Sequence, residues 1–119
     1  MLTENRIVMP LTGNGMSFES SKALHDAFMM TLIDVYGGYT VSYGVGGWAG
    51  PKGVQVIEDV ALYDVAFDDH IGNTQHFEYL ALWLGGKLHQ ESVYFRLGYA
   101  VRYLTVMQAR PGSNLAKVV

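Results

Sequence analysis

The chain contains no cysteine, which excludes disulfide bonds, thiolate metal ligands and a cysteine nucleophile. It has no run of lysine and arginine, and its formal net charge is −3. Nucleic acids are bound by basic surfaces that displace counterions, so the composition argues against a nucleic-acid partner. Charged residues make up only 16% of the chain, against roughly 25% in ordinary soluble domains. We therefore expect part of the apolar surface to be covered by another copy, in a homodimer or higher homo-oligomer.

Long hydrophobic runs are also missing. The longest apolar stretch, residues 77–84, includes Glu78 and falls well short of the ~20 residues that span a membrane. The first residues lack the basic start and apolar run of a signal peptide. The sequence thus predicts a cytoplasmic protein with no membrane partner.

What the sequence does contain is an alternation of strand and helix patterns. Ser17 is a plausible helix N-cap, and Gly37 and Gly38 are typical of a helix end. Phe77, Leu80, Ala81, Leu84 and Leu88 recur at the spacing of a buried helical stripe. The predicted elements are a strand at 5–12 that ends or bulges at Pro10, a helix at 18–36, strands at 39–45 and 54–67, a helix capped by Asn73 or Thr74, and a strand at 91–97.

This order predicts an α+β fold of the ferredoxin-like βαββαβ type, with an antiparallel sheet and two helices on one of its faces. Residues 1–119 are expected to form a single domain, in which 107–119 are a C-terminal tail with a turn at 110–114. Gly98 predicts a bulge or bend, after which residues 99–106 continue in β character.

Residues 38–97 resemble an uncharacterised family of small bacterial proteins. The matching pieces are Gly38-Tyr39-Thr40-Val41, Gly47-Trp48, Glu58 early in the next strand, and Gln90-Glu91-Ser92-Val93. The resemblance implies a ferredoxin-like fold and marks these positions as candidates, but it implies no activity, since the family has none assigned.

Residues 44–53 are rich in glycine, yet they do not match a phosphate-binding loop. Such a loop leads into a helix, and this segment lies between two predicted strands. A flexible hairpin tip is the favoured interpretation. Trp48 in this tip would be either an exposed lid or oligomer contact, or a ring buried against the sheet.

Four histidines raise the question of a metal site. His70 and His76 lie near Asp68 and Asp69, but their spacing matches no ligand motif. Solvated loop and cap residues are the simpler interpretation, and His25 beside Asp26 is interpreted as a surface residue. We predict no metal and no cofactor.

Strand alternation brings a polar group onto the helix-free face of the predicted sheet. Val93, Phe95 and Leu97 should face the helices, which sends Tyr94 and Arg96 to the open face. Neighbouring strands should add Arg6, Asp64 and Glu58 there, with Asp64 or Glu58 close to Arg96. Two arginines and an aromatic ring suit a small anionic or planar ligand. The competing interpretation is a purely structural network of ion pairs.

Glu91 is placed by the same alternation on the apolar side of the last strand. A partly buried carboxylate there would have a raised pKa and could act as an acid or base. It could equally accept hydrogen bonds from backbone amides and fix the junction between helix and strand.

Two functions follow. In the first, the chain is a non-enzymatic ligand-binding or assembly protein that acts as a homo-oligomer through its open sheet face. In the alternative, it is a small cofactor-free enzyme of the dimeric α+β-barrel type, an oxygenase or isomerase, by analogy of fold. The candidate residues for the enzyme are Glu91, His89, Arg96, Tyr94 and Trp48.

Overall fold

The computed structural model of the protein describes residues 1–107. The predicted turn at 110–114 and the tail beyond Met107 lie outside the described residues. The elements are β1 (Leu2–Pro10), α1 (Phe18–Tyr36), β2 (Thr40–Ala49), a 3₁₀ turn (Pro51–Gly53), β3 (Gln55–Asp68), α2 (Ile71–Lys87), β4 (Ser92–Leu97) and β5 (Ala100–Thr105).

The strands form one antiparallel sheet in the order β2-β3-β1-β4-β5. The first four strands and two helices have the ferredoxin-like arrangement, so the predicted α+β fold is confirmed. The structure differs from the predicted bulge or bend at Gly98, which instead lies in a tight turn with a φ of 58°. The chain reverses there, and residues 100–105 pair with β4 as a separate edge strand.

The first helix has the bounds that the sequence predicted. The Ser17 side chain accepts a hydrogen bond from the Ser20 backbone N–H, and Gly37 ends the helix in a left-handed conformation. Its buried stripe consists of Ser21, His25, Phe28 and Leu32. The prediction that His25 is a surface residue is therefore wrong, because its ring faces the sheet at 5% exposure.

The second helix begins earlier than predicted. Its N-cap is His70, whose ring Nδ1 accepts from the Asn73 backbone N–H, so neither Asn73 nor Thr74 is the cap. The five predicted stripe residues of this helix are all buried and belong to the core. They pack against the inward side chains of the central strands, among them Ile7, Tyr63, Val65 and Phe95.

The two glycines near the end of α2 differ in their surroundings. A Cβ at Gly85 would lie 2.6 Å from Val93 Cγ2, whereas one at Gly86 would lie 3.8 Å from Val106 Cγ1. Gly85 therefore lets the helix approach β4 closely, and Gly86 does not have this role.

Gly85→Ala is expected to destabilise the fold by about 1–3 kcal/mol, because the extra methyl group would overpack the contact with Val93. Gly86→Ala is the matched control and should stabilise it by about 0.5–1 kcal/mol through helix propensity. Urea unfolding followed by circular dichroism measures both. Equal effects of the two substitutions would contradict the packing described.

The sheet sends alternate residues to opposite faces. In the part of the sheet that the helices cover, the odd-numbered residues of the three central strands point to the helices, and Ile7, Tyr63 and Phe95 are buried there. The registers place Arg6 opposite both Asp64 and Arg96 on the other face, which no helix covers. The predicted faces of these strands are thus confirmed.

The β2–β3 hairpin projects beyond the rest of the sheet. β1 ends at Pro10, opposite Val60, so residues 55–59 of β3 pair with β2 alone. The predicted hairpin between these two strands is confirmed, but most of its glycine-rich segment belongs to β2, which stays paired through Ala49, and the turn itself is short. Within residues 1–107, neither helix is long and apolar enough to cross a membrane.

Candidate functional site

A cleft of about 700 Å³ lies on the open face, between the projecting hairpin and the start of β4. Its size falls within the range of small-molecule sites. Its lining includes Val8, Pro10, Asn14, Trp48, Val56, Glu58, Val60, Gln90, Glu91, Ser92, Tyr94 and Tyr103. The walls are thus mostly apolar and aromatic, with a few polar groups.

Trp48 forms part of the hairpin wall. Its six-membered ring lies over Gly46, where an added Cβ would come within 3.5 Å of Trp48 Cζ3 and 3.3 Å of Val60 Cγ1. The side chain is 46% exposed. It is therefore neither a free lid nor a buried core residue, but a half-open aromatic wall.

Glu58 is the acidic group on the same wall. It lies opposite Gly46 in the hairpin, and among residues 1–107 its Oε1 atom is buried without a hydrogen-bond partner. Burial raises the pKa of its carboxyl above the ordinary value. A buried carboxylate oxygen without a partner is costly to maintain and marks a place where a ligand group would be accepted.

The opposite wall comes from β4 and β5. Tyr94 and Tyr103 are opposed in the two strands, and their rings meet edge to face at 5.9 Å. Glu91 precedes β4 and is exposed at the rim, so the prediction of a partly buried Glu91 on the apolar side is wrong. The reason is that the regular strand begins only at Ser92, so alternation does not extend back to Glu91.

The floor of the cleft is the end of β1 and the loop after it. Asn14 fixes this loop to the α2–β4 junction: its side-chain amide donates to the His89 carbonyl at 3.0 Å, and its carbonyl accepts from His89 Nδ1 at 2.9 Å. His89 has a φ of 57°, which is rare for a residue with a side chain. His89 was a candidate residue of the enzyme hypothesis. It joins the loop after β1 to the α2–β4 junction and does not itself line the cleft.

His25 fixes the other end of the same loop. Its Nε2 lies 2.8 Å from the Pro10 carbonyl oxygen, and its Nδ1 contacts the Tyr63 hydroxyl. Because a carbonyl only accepts, Nε2 carries the proton and Nδ1 accepts from the tyrosine. Burial lowers the pKa of His25 and outweighs the opposing effect of the Pro10 hydrogen bond.

Acid should therefore weaken the fold through His25. The unfolded chain binds a proton at this histidine near its ordinary pKa, and the folded chain does so only at lower pH, so stability falls as the pH drops below about 6.5. His25→Gln should cost about 1–2 kcal/mol at pH 7, because glutamine cannot replace both hydrogen bonds, and less at pH 5. Urea unfolding at both pH values tests this, with His76→Gln as the control for loss of an exposed histidine. An unchanged cost at pH 5 would contradict it.

The arginine row lies beyond Tyr94 on the same face. Arg6 donates to both carboxylate oxygens of Asp64, at 2.7 and 2.8 Å. Arg96 lies across Arg6 from this pair and forms no ion pair within residues 1–107, where its Nε atom is buried without a partner. The prediction that Asp64 or Glu58 is the partner of Arg96 is therefore wrong: Asp64 is bound by Arg6, and Glu58 lies six residue pairs further along the hairpin.

The structure thus divides the predicted site into two parts. Trp48, Glu58, Glu91 and Tyr94 line the cleft, and Arg6, Asp64 and Arg96 form a separate row beside it. Sequence reasoning missed Asn14 and Tyr103 as cleft residues, whereas Gln90 and Ser92 lie in the segment that the family resemblance marked. Tyr103 could have been found by reading Gly98-Tyr99 as a hairpin turn, which would have placed it opposite Tyr94.

The cleft has the chemistry of a site for a planar ligand that carries a positive charge. It combines three aromatic rings with two carboxyl groups, and its lining within the described residues contains no lysine or arginine. Aromatic faces bind planar rings and attract cations, and carboxylates attract cations further. Among residues 1–107, no group of three or more histidine, aspartate or glutamate side chains is placed to hold a metal ion.

Comparisons with known proteins give a fold and no family. No family model matches the chain, and no curated protein does. Two solved structures share the fold: a phage SAM lyase in complex with S-methyl-5′-thioadenosine, with a TM-score of 0.67 and 15% identity over 90% of this chain and 92% of that one, and a phage SAM lyase in the apo state, with a TM-score of 0.63 and 16% identity over 90% and 91%. At such identities the similarity establishes a common fold, and the resemblance of residues 38–97 to an uncharacterised family stays a prediction.

Proposed function

We propose that this chain is a cofactor-free lyase that cleaves S-adenosylmethionine (SAM) in the cleft on its open sheet face. The observation that carries the proposal is Glu58, whose buried carboxylate oxygen has no partner within the described residues and lies in a cleft walled by aromatic rings. SAM has the matching features, since it joins a planar adenine to a sulfonium cation. The shared fold with phage SAM lyase supports this enzymatic function over a non-enzymatic binding or assembly protein.

The reaction needs no group that the cleft lacks. In the step we propose, a carboxylate oxygen of SAM forms a bond to its own Cγ, and the bond between Cγ and sulfur breaks with its electron pair going to sulfur. The products are S-methyl-5′-thioadenosine and homoserine lactone. Atoms and charges balance without water or proton transfer, because the negative carboxylate and the positive sulfonium neutralise each other.

The cleft would favour this reaction in two ways. Trp48 and Tyr94 would hold the adenosine part while the methionine chain folds back on itself, which converts binding energy into orientation. The apolar walls, including Val8, Val56 and Val60, would exclude water. A reaction that consumes two opposite charges is faster when those charges are poorly hydrated, so exclusion of water lowers the barrier.

The test is incubation of SAM with the purified protein, followed by chromatography of the nucleoside products. We expect S-methyl-5′-thioadenosine in molar excess over protein, at a rate well above the spontaneous breakdown in buffer. A rate equal to that of buffer would contradict the proposal.

We also propose that the chain assembles into a homo-oligomer. The outer strands β2 and β5 leave large apolar side chains exposed, among them Val45 and Val101. Unpaired strand edges with such side chains favour contact with another copy. Size-exclusion chromatography with light scattering is expected to give a multiple of 13.2 kDa. A monomer at high micromolar concentration would contradict this.

A further inference from the structure

Arg96 forms no ion pair within residues 1–107, whereas its neighbour Arg6 on the same face is paired. Across β1, the Arg6 guanidinium satisfies both oxygens of Asp64. Arg96 directly opposes Arg6, and like charges in that position repel each other. Its buried Nε donor has no acceptor within residues 1–107. Leaving such a donor unpaired is costly, so the position suits an anion that comes from outside this row.

The cleft ends where this row begins. Tyr94 lines the cleft, and Arg96 is the next residue of β4 on the same face, about 7 Å further along the strand. An arginine side chain is long enough to cover that distance. A ligand that packs on Tyr94 would therefore bring a group at its end within reach of the Arg96 guanidinium.

We infer that Arg96 forms an anion subsite that binds the carboxylate of the ligand in the cleft. The inference rests on the proposed function, in which the ligand is SAM. One carboxylate oxygen would accept from Arg96, and the other would be left to attack Cγ. Two N–H groups of the rigid, planar guanidinium can donate to that one oxygen at the same time.

The subsite would also separate substrate from product. S-methyl-5′-thioadenosine has no carboxylate, so it would lose the contact with Arg96 as soon as it forms. The cleft would then hold the nucleoside product through aromatic contacts alone. Arg96 would thus contribute to recognition of the intact substrate and to release of the product.

The experiment compares two probes that differ in the carboxylate-bearing chain. S-adenosylhomocysteine carries the chain on an uncharged sulfur, and S-methyl-5′-thioadenosine carries a methyl group instead. Calorimetry should show that Arg96→Gln weakens the binding of S-adenosylhomocysteine by roughly 10- to 100-fold, as expected for loss of a charged hydrogen-bonded contact. The same substitution should leave the affinity for S-methyl-5′-thioadenosine within about twofold of the wild-type value.

Arg102→Gln is the matched control. It removes the same charge from the neighbouring strand, where Arg102 pairs with Glu78 at 3.0 Å and packs over Phe95 on the helix side. It should change neither affinity. If Arg96→Gln fails to fold, Arg96→Lys provides the test. Lysine keeps the positive charge but lacks the planar guanidinium, so this variant should still lose affinity for S-adenosylhomocysteine selectively.

Three results would overturn the assignment. If the Arg96 variants lose affinity for both probes equally, Arg96 has a structural role. If they keep the wild-type affinity for both probes, Arg96 does not contact the ligand. In both cases the proposed function would stand, since the wild-type protein binds the nucleoside. Wild-type protein that binds neither probe would contradict the proposed function and the subsite together.

Discussion

Replacement of Glu58 by glutamine is expected to lower kcat/KM for SAM cleavage by roughly 10- to 150-fold, the range that corresponds to loss of a hydrogen bond to a charged group. The Oε1 atom is buried and has no partner within residues 1–107, so the carboxylate is available to the ligand rather than committed to the fold. Glutamine has almost the same shape and lacks the charge. The loss of activity should therefore occur without a loss of structure.

The same substitution should leave the fold as stable as wild type, or more stable by up to about 1 kcal/mol, because it removes a partly desolvated charge. Burial raises the pKa of Glu58, so the cost of its charge exists above that pKa and disappears as the carboxyl protonates. The advantage of Glu58→Gln should thus shrink as the pH falls toward 4.5. Activity is measured by chromatography and stability by urea unfolding at several pH values.

Asp59→Asn is the control for Glu58→Gln. Asp59 is the next residue of β3, and it is exposed and absent from the lining of the cleft. Its substitution therefore removes an equal charge at a position that does not contact the ligand. Its activity should stay within about twofold of wild type. Equal losses in the two variants would show that net charge, and not the position of Glu58, controls activity.

Replacement of Trp48 by alanine is expected to weaken binding of S-methyl-5′-thioadenosine by roughly 5- to 150-fold, the usual cost of losing one aromatic ring stacked on a base. The ring is half exposed, so its loss should change the free energy of unfolding by less than about 1 kcal/mol. Trp48→Phe should restore part of the affinity. Calorimetry measures all variants.

Tyr43→Ala is the matched control for Trp48→Ala. Tyr43 is in the same strand, is 64% exposed, and is absent from the lining of the cleft. Its removal should leave the affinity unchanged. An affinity of Trp48→Ala within twofold of wild type would contradict the placement of the nucleoside in the cleft.

The sheet could be predicted because its strands follow simple alternation. Val93 and Phe95 on one side and Tyr94 and Arg96 on the other have a period of two, which fixes the face of every residue once one face is buried. The same reasoning failed at Glu91, because alternation holds only inside a paired strand and the pairing of β4 begins at Ser92.

The buried His25 could have been found in the sequence. Ser21, His25, Phe28 and Leu32 follow one helical stripe, but His25 was interpreted as a surface residue beside Asp26 and not from this spacing. A polar residue on a buried stripe indicates a hydrogen bond inside the protein. Here that bond holds Pro10, the residue at which β1 ends and the cleft begins.

The cleft itself could not be predicted from the sequence. It depends on the extra length of the β2–β3 hairpin beyond Pro10 and on the fold of Trp48 over Gly46, which are properties of strand register and packing. The partner of Arg96 had the same difficulty. Alternation and the predicted strand order placed Arg6, Asp64 and Arg96 on one face, but only the structure shows which arginine binds the Asp64 carboxylate.

The most direct test of the central claim is cleavage of SAM in water enriched in oxygen-18, with rapid acid quenching and mass spectrometry of the four-carbon product. Intramolecular attack by the substrate carboxylate predicts homoserine lactone without solvent oxygen, formed together with an equal amount of S-methyl-5′-thioadenosine. Homoserine labelled at its hydroxyl group would instead show attack by water at Cγ, and vinylglycine would show elimination by a base such as Glu58. Either product, or a rate no higher than that of buffer, would contradict the account.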